Sequence, residues 1–260
     1  MFWVLLAIAV VLLIFFIINT VNRKSFVSLF DKGNVLVGGM RGRGKDFAFC
    51  VVVNARKRNY ISNVQYSSPK KKYQRFEFDP KVWELSGNTY TDLVSNEPKK
   101  YVYPYPDGID YYISDSGIYF PAQYANELVK RYKSAPMFQA LSRQLGDCNV
   151  HCNSQAVNRV WDKIREQSDI YLYMTGCRRV PFTKIFLLTS YEYDRQDTAE
   201  NHIIPPRFGI GSKAREARYN FEIVHGKIKH RWFFVRLPYK YDSRRFKHIL
   251  ENNLKDYENE

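Results

Sequence analysis

The chain has 260 residues, of which 45% are hydrophobic and 25% are charged. This balance excludes an intrinsically disordered protein, and the length is sufficient for one α/β domain with a full core plus an appendage. The formal net charge of +14 is high for this length and indicates an anionic partner, either a nucleic acid or an anionic membrane surface.

The first apolar segment, FWVLLAIAVVLLIFFII at residues 2–18, contains no charged residue and no helix breaker. As a helix it measures about 25 Å at ~1.5 Å per residue, close to the ~30 Å hydrocarbon core of a bilayer. The alternative is a cleaved signal peptide, but no basic residue precedes the segment and no small-x-small cleavage site follows it. Because Arg23 and Lys24 lie after it, we predict a single-pass anchor at residues 1–21, with the N-terminus outside and the rest cytosolic.

The nucleotide-binding signal lies between a short apolar strand, NVLVGG at residues 34–39, and a helix predicted over residues 46–58. Gly39-x-x-x-x-Gly44-Lys45 is the frame of a phosphate-binding loop, in which glycines let backbone N–H groups point at phosphate and the lysine reaches the β- and γ-phosphates. A tight turn with a solvated lysine is the alternative. The predicted nucleotide-binding residues are Gly39, Arg41, Gly42, Arg43, Gly44, Lys45, Asp46 and Phe47.

Asp46 occupies the position after the lysine, where such loops normally carry a serine or threonine. A carboxylate there can ligate Mg²⁺, although it repels phosphates by about 1–4 kcal/mol at ~4 Å. An aspartate also suits the first turn of a helix for purely structural reasons. Both roles remain open from the sequence.

The next two predicted strands are YISNVQY at residues 60–66 and DYYISDS at residues 110–116. Residues 67–108 between them are polar and form an excursion with short strands of its own, such as RFEF. Asp115 ends the second of these strands, and ligands of open α/β sheets collect at carboxyl ends, so it is the predicted metal-holding acid. Ser116 follows it, where many such ATPases have a glutamate that activates water.

A fourth strand, CNVHCNSQ at residues 148–155, has a polar end that includes Gln155, a residue able to contact the γ-phosphate or position water. Gln155 can equally be a helix-capping amide. Cys148, His151 and Cys152 also permit a zinc site. The two cysteines have equal parity along the predicted strand, however, which favours buried core thiols. The chain has four cysteines and no CxxC pair, which agrees with a reducing compartment.

A helix is predicted from Val157 to Glu166, followed by a fifth strand, DIYLYMTG at residues 169–176. Beyond Arg178, the stretches FTKIFLLTSYEYD, YNFEIVHG and HRWFFVRLP predict antiparallel ribbons. The pattern indicates an α/β fold with a mostly parallel sheet and helices on both faces, followed by a small β-rich extension. We expect an anchor at 1–21, a core at 22–195 and a basic extension at 196–260.

Four blocks of the chain resemble the zonula occludens toxin-like family of filamentous-phage assembly proteins, in matching order over about residues 33–194: GGMRGRGKD, YISNVQY, YYISDSGIYFP and LSRQLGDCNVHCNSQAVNRVWDKIRE. The resemblance implies a RecA-like P-loop NTPase core of the FtsK/HerA type. It also implies ATP and Mg²⁺ as cofactors, membrane attachment, and assembly into a ring, with a hexamer favoured.

The same resemblance assigns roles to individual residues. Lys45 is the loop lysine, Asp115 is the metal acid, and Gln155 is the sensor. Asp46 departs from the family pattern, and we predict it as a second metal ligand because a carboxylate can bind Mg²⁺. Arg159 or Arg165 is presented to the nucleotide of a neighbouring subunit, although either can instead belong to an exposed helix face.

The function implied is an ATPase at the host inner membrane that drives extrusion or packaging of phage DNA. The expected cargo is single-stranded DNA, and the expected partners are coat or other assembly proteins. Two alternatives stay open: a scaffold that binds nucleotide without hydrolysing it, and an envelope protein whose basic face binds lipid. Positive charge gathers at residues 56–58, 69–75, 178–179, 213–218, 227–231 and 244–247, and the aromatic residues Tyr73, Phe76, Trp232 and Phe246 are candidates for stacking on bases.

Overall fold

The computed structural model describes residues 2–67, 73–78, 108–131, 135–207 and 209–236. Most of the predicted excursion at 67–108 lies outside the described residues. So do the cluster at 244–247 with Phe246 and the polar tail.

The described chain contains eight helices and eight strands. The helices are α1 (Phe2–Phe30), α2 (Lys45–Arg56), α3 (Ser116–Tyr119), α4 (Ala125–Arg131), α5 (Ala135–Gly146), α6 (Asp162–Arg165), α7 (Gln196–Glu200) and α8 (Ser212–His225), with 3₁₀ turns at Ala122–Tyr124 and Val157–Arg159. The strands are β1 (Val35–Gly38), β2 (Tyr60–Ser62), β3 (Arg75–Glu77), β4 (Tyr111–Ile113), β5 (Val150–Asn153), β6 (Ile170–Arg179), β7 (Ile185–Tyr193) and β8 (Ile228–Arg236).

All of these strands belong to one sheet, in the order β3-β2-β4-β5-β1-β6-β7-β8. The first six strands in this order, from β3 at the edge to β6, run parallel to one another. The remaining two pairs, β6 with β7 and β7 with β8, are antiparallel. Strands β1, β4 and β5 are buried along their whole length, as expected for parallel strands covered on both faces. Their carboxyl ends therefore meet at one edge of the sheet, and that edge carries the candidate site.

Two hydrophobic cores lie on opposite faces of the sheet. Val35 and Val37 of β1 face a core that includes α2 and the end of α1, while Leu36 faces a second core that includes α5 and Trp161. This division follows from the period of two along a strand. Cys148 and Cys152 belong to the second core, and His151 packs between the rings of Phe30 and Tyr112.

The predicted transmembrane anchor is wrong. In the part of the chain that the structure describes, none of the helices combines the length and the apolar character needed to cross a membrane. Helix α1 instead continues to Phe30, and its end belongs to the sheet's core, because Phe26 and Phe30 are fully buried and the ring of Phe26 lies 4.9 Å from that of Phe233. The predicted fold class is therefore corrected to a mixed α/β fold around one sheet of eight described strands, in place of a core preceded by a transmembrane helix. The predicted single-pass location in the host inner membrane is contradicted by the same finding.

Two local predictions also differ from the structure. YNFEIVHG, predicted as a ribbon, lies within helix α8 and the glycine that ends it. The helix predicted over residues 157–166 is divided into a 3₁₀ turn and α6, because Val160 forms an antiparallel bridge with Pro121 and the Trp161 amide donates to the Phe120 carbonyl over 2.7 Å.

Candidate nucleotide-binding site

The loop between β1 and α2 has the backbone of a phosphate cradle. Gly39 and Gly44 have φ angles of 144° and 92°, which L side chains rarely adopt. Any side chain at Gly39 would collide with the Met174 carbonyl oxygen 2.7 Å away, and one at Gly44 with the Cys177 Cβ 2.5 Å away. Glycine is therefore required at both positions because the loop runs directly against strand β6.

Helix α2 begins directly after this loop, and no side chain caps its first turn. The first helical hydrogen bond is donated by the Ala48 amide to the Gly44 carbonyl over 2.9 Å. The first three amides of the helix, at Lys45, Asp46 and Phe47, precede this bond and have no helical carbonyl as a partner, and the positive end of the helix favours an anion there. The helix start is thus built to receive phosphate oxygens.

Lys45 is buried, although its side chain carries a charge. Its Nζ donates to the Met40 carbonyl over 3.3 Å, so the ammonium group folds back over the loop. Burial lowers the pKa of Lys45, while the nearby carboxylates of Asp46 and Asp115 act in the opposite direction. This lysine therefore lies beside both predicted metal ligands and is not a solvated surface cation.

The remaining predicted loop residues divide into two groups. Arg41, Gly42 and Arg43 are exposed, and the Arg41 charge reaches Asp115 strongly enough to oppose the rise in its pKa. The side chain of Phe47 is buried, and its ring centroid lies 4.5 Å from that of Phe186 on β7. The Phe47 side chain thus packs α2 against the antiparallel part of the sheet.

Asp46 is held by a group of donors from three neighbouring segments. Its Oδ1 accepts hydrogen bonds from the Tyr66 hydroxyl at 3.1 Å, the Ser114 hydroxyl at 2.5 Å and the Asn153 amide at 2.9 Å. Among the described residues, no donor bonds to Oδ2. This arrangement fixes the carboxylate and leaves one oxygen for a cation.

Asp115 lies at the carboxyl end of β4, in left-handed backbone with a φ of 48°. Its amide donates to Asn153 Oδ1 over 2.9 Å, and its carbonyl accepts the Ile118 amide over 2.8 Å. Burial, followed by repulsion from Asp46, raises the pKa of Asp115, whereas Lys45 lowers it. An unusual backbone conformation at a site of two interacting carboxylates is typical of a functional position.

Asn153 connects the two acids. Its side chain is fully buried at the end of β5, donates from Nδ2 to Asp46 and accepts at Oδ1 from the amide of Asp115. Strand β5 lies between β1 and β4 in the sheet, so this one side chain spans from the phosphate loop to the acid strand.

Ser116 is turned away from the candidate site. It is fully buried, and its hydroxyl donates to the Asn153 carbonyl over 2.9 Å. The residue that follows the acid strand therefore stabilises the turn and supplies no group that accepts a proton from water.

Gln155 and Arg159 are both exposed near the carboxyl edge. The Ser154 amide donates to the Val37 carbonyl over 3.0 Å, which keeps Gln155 beside the start of the loop. Arg159 lies against the turn after Asp115, because a side-chain carbon at Gly117 would be 3.6 Å from the Arg159 Cβ.

The structure does not bring Arg165 to this edge. Arg165 is buried, its guanidinium lies 2.6 Å from Glu200, and its carbonyl accepts the hydroxyl of Tyr171, near the amino end of β6. Within one chain its side chain serves to attach α6 to α7.

Sequence reasoning missed the three donors to Asp46, namely Tyr66, Ser114 and Asn153. A signal was present for two of them, since Ser114 and Asn153 are polar residues at the ends of apolar strands. Tyr66 carried no such signal, because an aromatic residue at the end of an apolar stretch is most simply interpreted as core.

The residues present fit a magnesium ion. Mg²⁺ is usually bound by one or two carboxylates together with substrate phosphates and water. Asp46 offers a free oxygen, and Asp115 is close enough for the two negative charges to disfavour each other, a repulsion that a cation offsets. The site is thus suited to a divalent cation carried by a polyphosphate.

A scan against models of known protein families finds no match for this chain, and a search of curated sequences finds none either.

Several solved structures are similar to this one. The genome packaging NTPase B204 from Sulfolobus turreted icosahedral virus 2, in complex with AMPPCP, is 15% identical at a TM-score of 0.38, covering 62% of this chain and 92% of that one. The N-terminal domain of zonular occludens toxin from Neisseria meningitidis is 11% identical at a TM-score of 0.41, covering 71% of this chain and 97% of that one. B204 of Sulfolobus turreted icosahedral virus, a DNA-packaging ATPase, is 15% identical at 0.35, covering 69% and 98%.

A domain of a zonular occludens toxin, the family that the sequence blocks resemble, is thus among the similar structures, at low sequence identity.

Proposed function

We propose that the chain binds ATP with Mg²⁺ at loop 39–46 and hydrolyses it to drive packaging or extrusion of phage DNA during virion assembly. One observation carries the proposal: Lys45, Asp46 and Asp115 meet at the carboxyl edge of a parallel sheet, with Asn153 bonded to both acids. A structural turn needs neither a buried lysine nor two carboxylates in mutual repulsion.

Each part of the triphosphate has a matching group in this arrangement. The free amides at the start of α2 would receive phosphate oxygens, and Lys45 would contact the outer phosphates. Asp46 and Asp115 would hold Mg²⁺, which supplies neutralisation of the charge that develops on the transferred phosphoryl group. Gln155, exposed at the end of β5, would orient the attacking water.

Arg159 supports assembly into a ring. It is exposed beside the acid strand, whereas Arg165 is ion-paired with Glu200, so Arg159 is the arginine available to a nucleotide bound by a neighbouring copy. Stabilisation of phosphoryl transfer by an arginine supplied from another subunit accelerates hydrolysis by about 10³–10⁵.

The choice of DNA as cargo rests on the four sequence blocks that resemble phage assembly proteins and on the net charge of +14. A pump must grip DNA independently of sequence, and contacts between cations and phosphates provide that. Coat or other assembly proteins would be further partners.

A scaffold that binds ATP without hydrolysing it is the second candidate, and the geometry of Ser116 favours it. Many ATPases of this kind carry a glutamate at this position, but here a buried serine donates to a backbone carbonyl. In that case bound nucleotide would order a ring of subunits without being hydrolysed.

Nucleotide binding and phosphate release by the full chain test both candidates. We expect a fluorescent ATP analogue to bind with Mg²⁺, and phosphate release to rise with single-stranded DNA. Lys45→Ala should abolish both, while Lys32→Ala, an exposed lysine before β1, should change neither. Binding without release in the wild-type chain would favour the scaffold, and absence of binding would overturn the proposal.

A further inference from the structure

Strands β6 and β7 form a hairpin that extends past the parallel strands of the sheet, and β8 pairs with β7 along its whole length, from Tyr193 to Ile185. Pairing between β1 and β6 stops at Gly38 and Tyr173, but β6 continues through residues 174–179 before the chain turns. At about 3.3 Å per residue, the hairpin projects about 20 Å past the end of β1. It passes the carboxyl edge of the parallel strands beside the candidate nucleotide site.

The base of this hairpin is packed against the nucleotide loop at three places. Gly39 lies against Met174, Gly44 lies against Cys177, and the ring of Phe47 contacts that of Phe186 with centroids 4.5 Å apart. The first two contacts are so close that neither glycine has room for a side chain. A change in the loop's backbone would therefore be transmitted to the hairpin.

The tip of the hairpin presents an aromatic ring among cations. Phe182 is fully exposed and has a φ of 59°, a conformation that favours glycine. Arg178, Arg179 and Lys184 around it are exposed, and the sequence contains no acidic residue between Asp169 and Glu192. The tip is thus positively charged without any internal compensation.

Two other groups of cations in the described chain lie among acids. Lys229 and Arg231 both pair with Glu192, at 3.6 and 2.8 Å, and helix α8 carries Glu216 and Glu222 among its basic residues. By contrast, no ion pair with a described residue involves Arg178 or Lys184. Arg179 donates from Nε to the Thr183 carbonyl over 2.7 Å, which stabilises the turn.

We infer that this hairpin tip binds single-stranded nucleic acid, with Phe182 stacked on a base and Arg178 and Lys184 at backbone phosphates. Proteins that hold single strands without sequence preference combine these two elements, cations that follow the backbone and aromatic rings that stack on bases. The inference rests on the proposed function in one respect, since it names the surface by which the ATPase would contact its cargo.

Other occupants fit the tip less well. A second copy of the chain is also basic, with a net charge of +14, so its surface complements the charge of the tip poorly. A bilayer would gain little apolar area from one ring flanked by Pro181 and Thr183. A polyanion with exposed aromatic bases complements both the charge and the ring.

Fluorescence anisotropy of a labelled oligo(dT), measured with the full chain without nucleotide, tests the inference. Arg178→Gln with Lys184→Gln should reduce the slope of log affinity against log salt by about 1.4, at ~0.7 per phosphate contact. Phe182→Leu should weaken binding about 5- to 100-fold because the stacking ring is lost, while Phe182→Trp should preserve it.

The matched control is Lys32→Gln with Arg58→Gln, two exposed cations at the opposite, amino edge of the sheet. Equal effects of tip and control variants would overturn the inference. The inference would also be overturned if the tip variants lost binding to phosphatidylserine-containing vesicles but still bound the oligonucleotide. If the wild-type chain released no phosphate but bound the oligonucleotide in a way that depends on the tip residues, the proposed function would be refuted and this inference supported.

Discussion

The Nδ2 amide of Asn153 donates a hydrogen bond to Oδ1 of Asp46 over 2.9 Å. This bond joins the end of β5 to the first turn of α2, and the Oδ1 of the same amide holds the backbone of Asp115. The two acids are therefore positioned by a residue that contacts neither phosphate nor water in the proposed mechanism. Asn153 is a positioning residue, and its removal should affect the metal before it affects the fold.

Asn153→Ala should raise the Mg²⁺ concentration needed for half-maximal nucleotide binding by about 10- to 100-fold, since loss of a residue that orients metal ligands has effects of this size. Titration of Mg²⁺ at fixed ATP analogue measures the change. Asn158→Ala, an exposed asparagine on the following 3₁₀ turn, is the control. An unchanged Mg²⁺ requirement in Asn153→Ala would contradict the role.

Asp46→Thr restores the residue type usual after the loop lysine, yet we expect it to reduce nucleotide binding. Three donors converge on Oδ1 of Asp46, and a threonine hydroxyl cannot accept from all of them. Buried donors without acceptors should lower the free energy of unfolding by about 1–3 kcal/mol. Urea denaturation and binding of an ATP analogue measure the two effects, and a large gain of turnover would show that the carboxylate hinders the metal.

Asp115→Asn should make the ligand-free protein more stable while abolishing turnover. Burial and Asp46 raise the pKa of Asp115, so its ionised form is less favourable in the folded chain than in the unfolded chain. A carboxyl group of this kind opposes folding at neutral pH, and the opposition disappears as the pH falls through the raised pKa. Each kcal/mol relieved should raise the melting temperature by about 2–4 °C.

Melting curves of the wild-type chain and Asp115→Asn at several pH values check this prediction. The difference between them should be largest at neutral pH and should shrink on acidification, when the wild-type carboxyl is also neutral. Mg²⁺-dependent nucleotide binding of the wild-type chain should weaken over the same range. A difference independent of pH would show that charge is not the cause.

Phe26→Ala should destabilise the sheet, because this ring is fully buried and lies 4.9 Å from that of Phe233 on β8. Loss of a buried phenylalanine side chain costs about 3–5 kcal/mol. Denaturation of Phe182→Ala, in which the ring removed is fully exposed, provides the comparison and should differ from the wild-type chain by less than about 0.5 kcal/mol. Equal stability of the two variants would mean that the end of α1 contributes nothing to the core.

ATP and single-stranded DNA should alter each other's affinity by the same factor, since equilibrium coupling between two sites is reciprocal. Contacts of Gly39 with Met174 and of Phe47 with Phe186 provide the physical connection. Oligo(dT) binding with and without a non-hydrolysable analogue measures the factor, and Lys45→Ala should remove it. A nucleotide effect that persists in Lys45→Ala would place its origin outside the loop.

Much of the site could be predicted from local sequence, because a phosphate loop is contiguous and an acid at a strand end is visible in the strand's own pattern. Lys45, Asp46 and Asp115 are brought together as their patterns indicate. The role of Asn153 could not be predicted, because it depends on β5 lying between β1 and β4, a property of the sheet order.

The misassigned elements share a physical cause. Tyr219, Ile223 and Val224 in YNFEIVHG favour a strand by type, yet they lie exposed on α8, so no buried face enforces the strand period. In the N-terminal segment, apolar composition alone predicted a membrane span. Composition could not show that the same helix runs on to place Phe26 and Phe30 in the core of the sheet.

The hairpin of β6 and β7 contacts the nucleotide loop at Gly39 and Gly44, and the turn that carries Phe182 lies beyond both contacts. The turn lies roughly 10 Å beyond the Cys177 contact, at about 3.3 Å per residue, so a tilt of about 10° there would displace it by about 2 Å. Because β8 pairs with β7 up to Ile185, such a tilt would move all three strands together.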